Sequence, residues 1–435
     1  MAGKDPMAFG LSVLNKVAAS ETLDKLGLRK FTERAIHQST KSGFQAAGAM
    51  QRTFKKVSGG GQGNRPTSNK PTGVFDLTPT EDQQMMVEVI SEFASAVLRP
   101  GAEEAEKVDD TPKEVLAQTG EFGLSLINIP EELGGLSQER SSVTGVLVAE
   151  ALAEGDMGQA VACLAPSAVG TAISLWGTEA QQQTYLADFA GENVPAAALV
   201  VNEPQAMFDP FALQTTAKKS DSGYVLNGLK SGAVRASEAE LFVIAADVEG
   251  RGPSMIIVEA NTEGVSVAAD PSMGLRAAGL SRIQLTDVQV GEDAILGSVD
   301  DYRSMIRLSR LGWAALALGT AKSVLDYVKD YVVTREAFGE PIAYRQAVAF
   351  TVADMAIELE GMRLVTLKAA SRADRGDDFA REGALARRLS TEYGMKIGTD
   401  GVQLLGGHGF VKEHPVERWY RDLRAVGVME GAVLV

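Results

Sequence analysis

The chain is poor in the residues that build metal centres and covalent cross-links. Its 435 residues include one cysteine, Cys163, and three histidines, His37, His408 and His414. A single cysteine excludes an internal disulfide framework and any cysteine-based metal site. The histidines are too few and too scattered for a histidine metal cluster, so no metal is expected. An excess of positive charge is missing as well. Forty-two Lys+Arg stand against 57 Asp+Glu, a formal charge of −15. Nucleic-acid binding needs a basic footprint, so nucleic acid is not the expected partner. The apolar runs are read as too short for the roughly 18 uncharged residues of a membrane-spanning helix. The N-terminus reads as a poor signal peptide, because Asp5 occupies the n-region and Lys16 interrupts the apolar stretch 7–14. The expected compartment is the cytoplasm.

What is present is an ordinary globular composition, 45% hydrophobic, long enough for about three domains. Residues 1–57 differ from the rest. They hold ten Lys/Arg against four acids, a net +6 that leaves −21 for the remainder, and apolar residues recur there at helical intervals (Phe31, Ala35, Phe44, Ala47, Phe54). A basic amphipathic extension of this kind suits docking on the chain's own acidic body, or peripheral contact with an acidic membrane surface or partner. Residues 58–77, rich in Gly, Ser, Asn and Pro, read as a flexible linker.

From 78 to 192 the pattern is helical. Thr80 and Gln83 fit a capping box, and Met86, Val89, Ile90, Phe93 and Val97 form one apolar face that Pro100-Gly101 stops or kinks. Further helices are expected over 112–122, 141–153, 158–176 and 178–190. From 193 to 301 the period shortens, with strands expected over 197–201, 213–219, 223–228, 241–246, 254–259, 264–269 and 282–290. From 302 to 435 long helices return, over 302–334, 342–374 and 378–406, as in an antiparallel bundle. The fold class is therefore α+β and mostly α: an N-terminal helical domain, a middle antiparallel β domain and a C-terminal helical bundle.

No nucleophile elbow, P-loop, His-Glu-x-x-His or Gly-x-Gly-x-x-Gly opening a βα unit occurs. Three other segments do carry a pattern. Arg335-Glu336-Ala337-Phe338-Gly339-Glu340-Pro341-Ile342-Ala343-Tyr344-Arg345-Gln346 is one; Gln403-Leu404-Leu405-Gly406-Gly407-His408-Gly409-Phe410, followed by Arg421-Asp422, is the second; Met429-Glu430-Gly431 is the third. Taken singly, Arg335 offers a fork of donors suited to a diphosphate, the two glutamines offer amide contacts, and the glycine pair allows close backbone approach or ends a helix. In order and spacing, together with Asn202-Glu203-Pro204 and Gly274-Leu275-Arg276, they resemble the acyl-CoA dehydrogenase family over residues 78–435.

The resemblance implies FAD as cofactor, with Arg335, Phe338, Gln346, Gln403, Gly406 and Gly407 as its contacts. In the family the two segments reach FAD from neighbouring subunits, which implies a dimer or tetramer. It implies Glu430 as the base that takes the α-proton of an acyl-CoA, the β-hydride passing to the flavin to leave a trans-2-enoyl-CoA. Such a base must sit within reach of the proton in a site that excludes water. It also implies Arg310 near the CoA nucleotide, and an electron-transferring flavoprotein as acceptor. The sequence departs from the family in three places. Thr-Glu-Pro followed by Gly-Ser-Asp becomes Asn202-Glu203-Pro204 followed by other residues. Lys-x-Trp-Ile-Thr-Asn beside the flavin becomes Lys230-Ser231-Gly232-Ala233-Val234-Arg235. The Thr after Glu-Gly becomes Ala432. Alternative readings therefore stay open. One is a non-catalytic or FAD-poor subunit that binds acyl-CoA or pairs with an active homologous chain. The other is an oxidase or monooxygenase on the same fold.

Overall fold

The computed structural model describes residues 77–435 apart from Phe122, Gln138 and 191–193. The expectations for 1–57 and for nearly all of 58–77 lie outside the described residues. The helical N-terminal part comprises α1 (Glu81–Phe93), α2 (Arg99–Val108), α3 (Lys113–Glu121), α4 (Ser142–Gly155), α5 (Met157–Trp176) and α6 (Glu179–Phe189). Thr80 and Gln83 form the reciprocal capping box. Pro100 does not end the first helix. Residues 94–98 take a wider π turn that joins α1 to α2, and Pro100 falls in the first turn of α2, where its missing N–H costs nothing.

One expectation is corrected here. Met157–Trp176 is a 20-residue helix without a charged residue, long and apolar enough by composition to cross a membrane. It is buried almost throughout because it is the central helix of this part, enclosed by α4, α6 and the sheet. Its small residues (Ala, Gly, Ser, Thr) kept it from reading as one hydrophobic run.

The middle part is an eight-stranded sheet. Its strands are β1 (Ala197–Val200), β2 (Thr216–Ser220), β3 (Gly223–Val234), β4 (Leu241–Val248), β5 (Gly252–Glu259), β6 (Val265–Ala269), β7 (Leu280–Val290) and β8 (Ile295–Leu296). The order is β6-β7-β3-β2-β4-β5-β8, mostly antiparallel, with β1 and β2 each running parallel to β4. Strand period is two, so Leu241, Val243 and Ala245 face the helices while Phe242, Ile244 and Ala246 face a second core. β3 continues to Val234, six residues past the expected end. Register shifts near Gly228 and at Ser231-Gly232 break its alternation and hide its second half in the sequence.

The bundle consists of α7 (Val299–Thr334), the hairpin β9 (Glu336–Ala337) and β10 (Glu340–Pro341), α8 (Gln346–Asp374), α9 (Ala380–Leu405) and α10 (Val416–Ala425). α7 is 36 residues long, opened by a capping box between Ser298 and Asp301, and is buried continuously from Leu311 to Ala321 against α4 and α9.

A buried ionic junction ties the parts together. Asp422 on α10 accepts from Leu275 N at 2.7 Å, and Arg421 donates to Met273 O at 2.8 Å. Two of the sequence motifs thus meet, and their role is architectural. Arg421 also pairs with Glu106 at 2.6 Å, and Arg418 lies 3.3 Å from Asp156. Burial first, and then the neighbouring Asp156 charge, raise Asp422 above the ordinary carboxylate range. A carboxyl raised on folding binds its proton more tightly in the native state than in the unfolded chain. Its stabilising contribution is complete below about pH 4, near the unfolded value, and fades as pH rises through the raised native value. The melting temperature is therefore expected to fall between pH 5 and 7.5. Asp422→Asn keeps the acceptor for Leu275 N and removes the titration, so it should melt no lower than wild type at pH 7.5 with a flatter profile. A wild-type melting curve flat over that range would contradict this.

Candidate active site

Past α10 the chain turns back along the sheet. Gly431 bridges to Val200 in an antiparallel pair, and Ala432 N donates to Leu199 O at 2.9 Å. The carbonyl of Gly431 accepts from Ser309 Oγ at 2.8 Å and Trp313 Nε1 at 2.9 Å, both on α7. Gly431 has φ +72°, and a Cβ there would lie 2.6 Å from Val201 Cγ2, so only glycine suits the position. These contacts fix Glu430 between β1, α7 and α9, with the residue 8% exposed.

Its carboxylate is fully engaged. Arg310 on α7 donates from Nε to both oxygens at 3.0 Å and from NH2 to Oε1 at 2.7 Å. Arg387 on α9 stands 3.6 Å from Oε1 and donates to Met429 O at 2.6 Å. Burial pushes Arg387 down to about 10, which the Glu430 charge partly offsets. The two arginines and one carboxylate leave a local excess of positive charge. Tyr302 beneath the site donates to Pro210 O at 2.6 Å; burial and then the Glu430 charge raise its hydroxyl well above its ordinary value.

Two of these partners were not read from the sequence. Arg387 looks like any arginine on the exposed face of a helix, and no local pattern marks it. Asn202 shows only as a residue in place of threonine. Here its Oδ1 accepts from Glu430 N at 2.7 Å and its Nδ2 donates to Val428 O at 3.0 Å. Arg310, expected beside a CoA nucleotide, is placed on Glu430.

The other six candidate residues lie at the far end of the bundle, and all are exposed. Arg335 caps the C-terminus of α7. Phe338 and Gly339 form the two-residue turn between β9 and β10 with φ +57° and +83°, as a type I′ turn requires. Phe338 is an unusual occupant of that left-handed position; the residue is 97% exposed, with Arg345 Cζ 5.8 Å from its ring centroid. Gln346 opens α8, while Gln403, Gly406 and Gly407 lie at the end of α9. Tyr331 on α7 bonds His408 Nδ1 at 2.8 Å, which holds the end of α9 beside Arg335. Tyr327 does the same for His414 at 2.6 Å.

Arg310 and Arg335 are 25 residues apart along one helix, roughly 37 Å at 1.5 Å per residue. The Glu430 site and the exposed corner of one subunit are therefore too far apart to grip one small cofactor together.

The chain matches the N-terminal domain of acyl-CoA dehydrogenases over residues 80–193, the middle domain over 198–288 and the C-terminal domain over 301–433. It is 32% identical over 363 residues to an acyl-CoA dehydrogenase of Bacillus subtilis (strain 168), covering 81% of this chain and 95% of that one. Among solved structures it is similar to butyryl-CoA dehydrogenase from Megasphaera elsdenii. The TM-score is 0.76 at 28% identity, covering 82% of this chain and 96% of that one. A structure solved in work on the electron-transferring flavoprotein of Acidaminococcus fermentans matches with TM-score 0.76 and 31% identity over 82% and 96% of the two chains. The chain belongs to the acyl-CoA dehydrogenase family, whose members are FAD-dependent oxidoreductases.

The two ends of an FAD fare differently against these residues. The nucleotide end fits: Arg335, Gln346, Gln403 and the Gly406-Gly407 backbone offer exposed donors on one corner, with Phe338 beside them. The ring end is altered. A Cβ on Gly232, where the family has tryptophan, would stand 3.2 Å from both Sδ and Cε of Met429, and Gly232 has φ +58°. Met429 thus occupies the volume into which a tryptophan side chain at position 232 would extend.

Proposed function

We propose that the chain dehydrogenates an acyl-CoA thioester at the α,β position to give trans-2-enoyl-CoA, with Glu430 as the base. The observation that carries this reading is the fixed, buried Glu430 carboxylate, held by its own backbone at the junction of all three parts. FAD, when bound, supplies the acceptor for the β-hydride. Arg310 and Arg387 hold Glu430 at rest, and one carboxylate oxygen must leave Arg310 to reach an α-proton. The loss of ion pairing that accompanies this leaves two cations beside the thioester, suited to a substrate that carries negative charge. The physiological acceptor is an electron-transferring flavoprotein, a reading supported by the matched structure from work on such a protein. The test is anaerobic addition of acyl-CoA to purified flavin-loaded protein: bleaching near 450 nm is expected, and a flavin that stays oxidised with every acyl chain length refutes the reading.

The rewritten segment 230–235, with Met429 in the side-chain volume of residue 232, favours a second reading, a FAD-poor subunit that binds acyl-CoA or pairs with an active homologous chain. Colourless purified protein that still binds acyl-CoA would support it.

The dehydrogenase reading requires an oligomer. The span of roughly 37 Å between Arg310 and Arg335 supports cofactor sites shared between subunits. Phe350, Ile357 and Leu364 lie exposed at seven-residue spacing on α8, an apolar stripe suited to a second copy. Ile357→Glu is expected to shift the assembly to smaller species in light scattering and to lower flavin content. A stable wild-type monomer with bound flavin would overturn the shared-site reading.

A further inference from the structure

We infer that the cavity between α3, α5 and the turn 235–240 is a second ligand site, built for an uncharged carboxamide on an apolar body. The cavity holds about 450 Å³. Its described lining residues include none of Glu430, Arg310, Arg387 and Asn202, so it is separate from the site described above. The inference does not depend on the dehydrogenase reading.

Arg235 carries the argument. Its side chain is only 11% exposed. NH2 donates to Glu238 Oε2 at 2.6 Å, but Nε is buried and has no hydrogen-bond partner among the described residues. A guanidinium does not give up its proton, and a buried donor left unpaired is costly. The position therefore calls for an acceptor from outside the chain. The guanidinium is held where it is. Arg235 N donates to Ala278 O at 3.2 Å and to Gly279 O at 3.1 Å, and Glu238 N donates back to Arg235 O at 3.1 Å. The hydroxyl protons of the wall are already spent: Thr119 Oγ1 donates to Leu116 O at 2.7 Å and Ser125 Oγ to Phe189 O at 3.1 Å. Arg235 replaces the asparagine of the family's motif, so this donor is particular to this chain.

Charge decides what kind of acceptor fits. Two cations, Lys113 and Arg235, and two carboxylates, Glu238 and Glu240, line the cavity. Glu238 is shared, with Lys113 Nζ 3.5 Å from it on the solvent side. The four charges cancel. An anion would meet the two carboxylates, and a cation would leave Arg235 Nε unpaired, so either ion enters at a desolvation cost that nothing repays in full. A carboxamide meets both needs without charge. Its carbonyl oxygen accepts from Arg235 Nε, and its N–H is of the kind that the Glu238 or Glu240 carboxylate accepts. Leu116, Leu124, Cys163 and Pro166 supply apolar wall for the body of the ligand. Burial pushes the Cys163 thiol up to about 12, so it is part of that wall and not a nucleophile.

The test is calorimetric titration of the full chain with three matched probes: 2-phenylacetamide, phenylacetate and 2-phenylethylammonium. The amide is expected to bind with a Kd below about 10 mM, and about tenfold or more tightly than either ion. Arg235→Met keeps most of the bulk, removes the Nε donor and should weaken the amide by about tenfold. Ala117 lines the cavity and is exposed, so Ala117→Trp blocks the mouth without disturbing the core and should abolish amide binding. Wild type that binds no amide below about 10 mM overturns the inference and leaves a cavity that holds water only. Equal affinity for the amide and either ion also overturns it, as does amide binding that either folded variant leaves unchanged. If Arg235→Met fails to fold, Ala117→Trp decides: lost amide binding supports the site, and unchanged binding overturns it. No flavin or acyl-CoA enters the titration, so its outcome is independent of the bleaching experiment above.

Discussion

Glu430→Gln is expected to slow flavin bleaching by acyl-CoA by roughly 10²–10⁴-fold, toward the upper end, while the fold and flavin content persist. The amide is nearly isosteric, and the backbone contacts that place residue 430 do not involve its side chain: Asn202 holds its N–H, and Ser309 and Trp313 hold the next carbonyl. What the amide lacks is the capacity to accept the α-proton. It also lacks the charge that Arg310 and Arg387 face, so the variant should melt at a lower temperature even as it folds. Stopped-flow reduction under anaerobic conditions, in wild type and variant at equal flavin loading, reads the effect. Similar rates in the two proteins would show that Glu430 is not the base and that its match to the family is coincidental.

The sequence displays the helices of this fold more fully than it displays the site. α7 and α9 are legible because their apolar residues recur at helical period over more than 25 residues, and β4 is legible as a short apolar run bounded by turns. The second half of β3 is not, because Gly228 and Ser231-Gly232 interrupt the alternation. Glu430 is legible through its flanking residues. Its partners are not: Arg310 and Arg387 come from helices 120 and 43 positions away, and only packing brings them to one carboxylate. The change at Gly232 is half legible. The missing tryptophan can be read directly, but that Met429 fills its place follows only from the contacts that Asn202, Arg387 and Ala425 make with residues 428–430. The Gly274-Leu275-Arg276 and Arg421-Asp422 motifs are equally legible as patterns, and the structure gives them a structural task, as two sides of one buried junction.

The largest stability effect is expected at Lys230, which pairs with Glu203 at 2.9 Å in complete burial. This pair sits directly behind the chain that leaves β1, which includes Asn202. Lys230 Nζ also donates to Val201 O, and Glu203 accepts from Gln214 N at 2.7 Å and Thr215 N at 2.8 Å, so β3 is bound to the chain that leaves β1. Burial pushes Lys230 down to about 8, against the pull of Glu203. Burial alone would raise Glu203, but Lys230 and the backbone amides hold it below its ordinary value. Each charge is tolerable only because the other is present. Lys230→Met fills the volume and strands the carboxylate, which typically costs about 3–5 kcal/mol. Adding Glu203→Gln should restore most of the loss, since the amide oxygen still accepts from a backbone N–H and no buried charge remains. Urea denaturation of wild type, single and double variants measures the coupling. If the single variant loses less than about 1 kcal/mol, well below that range, the pair is not an obligate one. The chain that leaves β1 would then owe its rigidity to the sheet hydrogen bonds alone.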